Sequence, residues 1–191
     1  MSSLGTEFKL ISSLIPDGCG LLEVGPGYGY TALRLRMEDR KIHITGLEIC
    51  KKYYDAHQKL GIYDQMLFGD GRYIDLPSKS FDVSCAIQVI EHQPEEDADA
   101  LLNNMERMTK NLVIISTPDG FHPEDGLMRD GNPASLHRSG YTERYFTDRG
   151  YETRLVERGG RLIGFLKRLG LYLKGGYGSD KVIVAWKSMS R

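Results

Sequence analysis

The sequence predicts an α/β fold: a doubly wound, mostly parallel sheet whose last strand runs antiparallel. Three observations carry this reading. Short apolar runs alternate with helical patterns across residues 20–116, the signature of strands linked by crossover helices. The run Phe81–Ile87 is rich in apolar residues, as strands buried on both faces are. The last third holds two more strand-like runs, and no clear long crossover dictates a parallel return between them.

Taken in order, residues 4–15 read as a short amphipathic helix, with Leu4, Phe8, Ile11 and Ile15 at helical spacing. Pro16-Asp17-Gly18 breaks it. Residues 20–24 form an apolar strand that ends in a glycine turn, and residues 29–39 are helical. Ile42–Leu47 is β-branched and strand-like; 51–60 returns to helix, and Gln65–Phe68 is a third strand. After Phe81–Ile87, residues 95–109 place Leu101, Leu102, Met105 and Met108 on one helical face. Leu112–Ser116 is the fifth strand. Residues 142–149 read as a helix capped by Thr142, followed by strands at Tyr151–Val156 and Val182–Trp186. These last two are expected to pair antiparallel at one sheet edge.

Composition narrows the class. The 191 residues suit one domain, 1–191, with 40% hydrophobic and 27% charged residues. A net charge of -1 supplies no global field for nucleic acid. No apolar run is long enough to span a bilayer, and the start lacks a signal-peptide pattern. Cys19, Cys50 and Cys85 have no CxxC spacing, which fits a reducing, cytoplasmic setting.

Glu23-Val24-Gly25-Pro26-Gly27-Tyr28-Gly29 follows the first strand and opens a helix. Glycines there let a ligand approach the main chain. The spacing is GxGxG, whereas a dinucleotide fingerprint is GxGxxG. Glu23 beside the turn would repel a pyrophosphate but suits a cationic group. Pro26 removes one N–H that could have held phosphate. Glu48 closes the second strand, where an acid can accept from both ribose hydroxyls. Asp70 closes the third and could accept from the adenine amino group. Three carboxylates thus share one end of three successive strands.

At this point the sequence resembles the class I S-adenosylmethionine-dependent methyltransferases of small-molecule type. The matching segments are LLEVGPGYG (21–29), GLEIC (46–50), FGDGR (68–72), FDVSCAIQVIEHQP (81–94) and LVIISTPDG (112–120), with HRSGYTERYFTDRGYE (137–152) beyond them. The resemblance implies a Rossmann-like seven-stranded sheet, S-adenosylmethionine as cofactor and S-adenosylhomocysteine as product. It implies that Gly25, Gly27 and Gly29 face the methionine part and that Glu23 orients its ammonium group. It also implies ribose at Glu48, adenine against Ile49, Asp70 and Gly71, and Gln88 beside the methionine part and the acceptor.

Methyl transfer from a sulfonium leaves the enzyme to align the nucleophile and remove its proton. His92, just past the fourth strand, is the candidate base, with packing or helix capping as its bland alternative. His137 is the second candidate. Small-RNA 3′-end 2′-O-methyltransferases hold a divalent metal with a related pattern. Here Gln88 stands where that family has glutamate, so no metal is expected from Glu91, His92 and His137. His43 and His57 read as surface or packing residues, and His122 as a residue at the substrate mouth. The long loop from Pro118 to Gly140 reads as a substrate lid.

The leading function is methyl transfer to a small-molecule O or N acceptor. The alternatives are an RNA methyltransferase, a non-catalytic S-adenosylmethionine-binding protein and an NAD-dependent oxidoreductase; GxGxG spacing and Asp70 count against the last. Residues 158–179 form an insertion between the final strands. Within it Arg158, Arg161, Lys167, Arg168 and Lys174 accompany a stripe of Leu162, Phe165, Leu166, Leu169 and Leu173. Packing on the sheet edge, a homodimer contact, a lid and a membrane-surface helix over 158–174 all suit that pattern.

Overall fold

Seven strands form one sheet in the order β3-β2-β1-β4-β5-β7-β6. The structure is a computed structural model that describes residues 4–123, 132–157 and 181–189. Its strands are β1 (Gly20–Val24), β2 (His43–Glu48), β3 (Gln65–Phe68), β4 (Phe81–Ile87), β5 (Thr109–Pro118), β6 (Glu152–Glu157) and β7 (Lys181–Ser188). The helices are α1 (Leu4–Leu14), α2 (Tyr30–Met37), α3 (Lys51–Leu60), α4 (Glu95–Met108) and α5 (Glu143–Thr147).

The first five strands pair in parallel, and β7 runs antiparallel to both β5 and β6. The antiparallel edge expected from the tail is therefore present, with β7 as the inner strand of the two. β5 begins at Thr109, before the predicted Leu112, because Thr109 pairs with Phe81 across a register shift. Its far end extends to Pro118 through pairing with Val182.

Strand alternation splits the core between two faces. Leu21, Ile44, Val83 and Ile114 pack with Phe8 and Ile11 of α1, with Ile15 just past it, and with Ala32 and Leu35 of α2. Leu22, Leu47, Ala86 and Ile115 pack on the other face against α4 and Phe146. Leu101, Leu102, Met105 and Met108 are all buried, as the helical spacing predicts. Thr142 stands at the N-cap of α5, but its side chain makes no capping hydrogen bond. The insertion 158–179 and the lid centre 124–131 lie outside the described residues.

Strand order reverses between β1 and β4, which opens a crevice beyond their C-terminal ends. Among the described residues, no helix is long and apolar enough to cross a membrane.

Candidate active site

A cavity of about 520 Å³ fills that crevice. Its floor is the glycine turn and the end of β2: Glu23, Gly25, Gly27, Glu48 and Ile49 all line it. Gln88 lines it at the end of β4. The structure thus brings six of the sequence-predicted cofactor residues to one cavity.

The three turn glycines do different things. All have positive φ, where a side chain is strained. A Cβ on Gly25 would lie 2.7 Å from Val89, and one on Gly29 would lie 2.6 Å from His57. A Cβ on Gly27 would meet no protein atom within 4 Å. Gly27 is therefore where the backbone is bare for a ligand. Gly29 lies off the cavity wall, as the left-handed N-cap of α2 packed on His57.

Glu48 is buried, and each carboxylate oxygen accepts from a backbone N–H: Gly27 at 3.0 Å and Cys50 at 2.7 Å. A carboxylate has about four acceptor sites, so capacity remains for two hydroxyls. Burial pushes its acidity range upward, against the pull of those two N–H groups. This acceptor set has room for a pair of hydroxyls, and the open space at Gly27 for a ligand drawn close to the main chain.

Glu23 is buried at the cavity floor and accepts from the hydroxyl of Tyr63 at 2.9 Å. Burial raises its pKa to about 7, with Tyr63 pulling the other way. An ammonium nearby would favour its ionised form.

Asp70 and Gly71 are placed differently from the expectation. Neither lines the cavity. The Asp70 carboxylate accepts from Arg72 Nη2 at 2.6 Å and from Arg72 Nε, and Arg72 also pairs with Asp97. Burial alone would raise the Asp70 pKa, but the Arg72 hydrogen bonds and charge win and hold it low. Gly71 is a packing glycine: a Cβ there would sit 2.8 Å from Val24 and 3.0 Å from Leu101.

Gln88 has φ of 58°, in the left-handed region rare for a side-chain-bearing residue. Its N–H donates to Ser116 C=O at 2.8 Å, and its side-chain amide donates to Ser116 Oγ and Glu7. The turn directs the chain away from β4 into the short 3-10 segment Ile90–His92.

Other lining residues were only partly legible in the motifs, which pointed to Glu91, His92 and His137 but not to α1 or to residues 132–135. α1 contributes Glu7, Phe8 and Ile11, and Asn132, Ala134 and Ser135 approach from the loop after β5. Glu91, His92 and His137 line the same cavity. His122 does not line it; its Nε2 pairs with Asp119 C=O, and its own C=O accepts from His137 Nδ1. His43 is exposed, whereas His57 is buried under the glycine turn.

A crevice at the strand reversal, a bare glycine, an acid closing β2 and an antiparallel β7 fit a class I S-adenosylmethionine-dependent methyltransferase domain, and a family match shows that this chain carries one. Residues 22–115 match the family described as "Methyltransferase domain". S-adenosylmethionine is the cofactor of that domain class. No curated protein matches the sequence.

Solved structures agree on the fold. A S-adenosylmethionine-dependent methyltransferase from Methanosarcina mazei superposes with a TM-score of 0.64 at 16% identity, covering 93% of this chain and 96% of the other. One from Aquifex aeolicus gives 0.60 at 16%, covering 95% and 88%. A chain in the complex of the Haloferax volcanii Trm112 methyltransferase activator with a methyltransferase gives 0.67 at 13%, covering 99% and 94%.

Proposed function

We propose that this chain, acting as one domain, transfers a methyl group from S-adenosylmethionine to a small-molecule O or N acceptor. The observation that supports this is the continuity of the cavity. Glu48 and Gly27 line the same cavity as Phe8 and Ile11 of α1, His92 and His137. Bound at Glu48 and Gly27, the cofactor would extend its sulfonium toward the Gln88 end. Its chemistry there is an activated methyl on a good leaving group.

The chain's own residues divide the remaining work. Glu23 meets the ammonium group, and Ile49 covers the adenine. Gln88 borders both ligands. Phe8 and Ile11 exclude water from the acceptor half, and His92 takes the acceptor's proton through a ring nitrogen. A 520 Å³ space accommodates a cofactor and a compact acceptor better than a polymer.

The test is a methylation screen with labelled S-adenosylmethionine, run against a metabolite extract and against total RNA. Label in small molecules supports the reading. Label in RNA alone replaces the acceptor class. Cofactor binding with no transfer to either leaves a binding protein and overturns the enzyme reading.

A further inference from the structure

We propose that Glu91, His92 and His137 form a binding site for a divalent first-row metal ion, opening onto the acceptor half of the cavity. One nitrogen from each imidazole and one Glu91 oxygen all lie within 4.8 Å of one another. The rings stand 4.9 Å apart at 60°. A tetrahedral ion with bonds of about 2.1 Å holds its ligand atoms about 3.4 Å apart. The ligand atoms would therefore have to draw in by up to about 1.4 Å when an ion binds.

The tautomers support the same conclusion. His92 Nδ1 faces the C=O of Leu136 at 3.2 Å, and His137 Nδ1 faces the C=O of His122 at 2.6 Å. A carbonyl only accepts, so both Nδ1 atoms carry the proton. In each neutral ring the lone pair is then on Nε2. Backbone carbonyls behind Nδ1 are the usual outer partners of metal-binding histidines. Glu91 is buried and oriented by Thr117, whose hydroxyl donates to Oε2 at 3.1 Å.

The cluster is held by the main chain. Glu91 C=O accepts from the N–H of Arg138 at 2.8 Å and of Ser139 at 3.2 Å. Ser139 Oγ donates to Gln93 C=O at 2.8 Å. These bonds lace the segment carrying His137 onto the segment carrying Glu91 and His92. Gln88 plays no part, since its amide is turned to Glu7 and Ser116.

Two imidazoles and a carboxylate suit zinc, cobalt or manganese, and three protein ligands leave a position open. All three residues line the cavity, so an oxygen-bearing acceptor bound there could complete the coordination. A bound ion would take over proton removal from His92, whose lone pair it occupies.

The test uses the full chain, stripped with chelator and titrated with Co²⁺ by visible absorption and with Zn²⁺ by calorimetry. We expect saturable binding of one ion. His92→Ala and His137→Ala should each weaken it more than about tenfold, because loss of even an outer partner costs about 10–100-fold. His43→Ala, in an exposed residue elsewhere, should leave it unchanged. No saturable binding, or binding that survives both substitutions together, overturns the site. Melting curves and S-adenosylhomocysteine binding report whether the variants fold. If they do not, Mn²⁺ on the unaltered chain decides: selective broadening of the His92 and His137 ring resonances supports the site, and equal broadening of His43 overturns it. A chain that binds the ion but transfers no methyl group keeps this site and loses the proposed function.

Discussion

His57 and Gly27 share a 2.8 Å hydrogen bond, ring Nε2 to backbone carbonyl, that ties α3 to the glycine turn. The Gly27 N–H is held in turn by Glu48. Both polar groups of one residue are thus fixed by side chains from neighbouring elements, and its Cα side is left open.

This arrangement separates two glycines by experiment. Gly29→Ala places a Cβ against His57 and forces a left-handed φ, so it should cost more than the ~1–2 kcal/mol of the φ strain alone. Gly27→Ala meets no protein atom, so its stability loss should stay near ~1–2 kcal/mol. Its S-adenosylhomocysteine affinity should fall more than about tenfold, a loss of about 1.4 kcal/mol. Urea denaturation and calorimetry on both variants check the contrast. Equal stability losses would refute it.

Glu48→Ala should weaken S-adenosylhomocysteine binding by about 1–3 kcal/mol, through loss of an ionised acceptor for two hydroxyls. Glu48→Gln keeps the shape and an acceptor for Gly27, and should lose less. Unchanged affinity in the alanine variant would remove the ribose from this residue.

Glu23 makes stability depend on pH. Its folded pKa of about 7 exceeds the ordinary 4.5, so the folded chain binds this proton more tightly than the unfolded chain. The contribution is fully present below about 4.5 and is lost as pH rises to about 7. Glu23→Gln removes the buried charge. It should match the wild type near pH 5 and exceed its stability at pH 8 by roughly 2–3 kcal/mol. Melting temperatures of the cofactor-free proteins across that range test this; a constant difference would count against it.

His92→Ala should lower turnover about 10²–10⁴-fold once an acceptor is known, with cofactor affinity nearly constant. A loss below tenfold would make the residue structural.

The parallel core was readable because its strands are apolar on both faces and its helices keep an apolar stripe, as in Leu101, Leu102, Met105 and Met108. The floor of the site was readable because glycines and strand-end acids occur in a fixed local order. The rest depends on contacts that local order does not encode. Tyr63 reaches Glu23 across the chain, and α1 closes the cavity from the N-terminal segment. The segment carrying His137 is tied to the one carrying His92 by the N–H groups of Arg138 and Ser139 donating to Glu91 C=O, bonds that leave no mark on residue type. Gly71 shows a second reason for a glycine that residue order does not reveal: a side chain there would collide with Val24 and Leu101.

The position of β7 has a consequence for the order of assembly. It is the last strand in chain order, but it lies between β5 and β6. β6 pairs with no other described strand. Among the described residues β6 therefore has no ladder partner until β7 is made, and Thr153 and Leu155 gain theirs when Ala185 and Ile183 follow. A nascent chain stalled before Lys181 would therefore lack β7 and, with it, every ladder pair of β6 among the described residues.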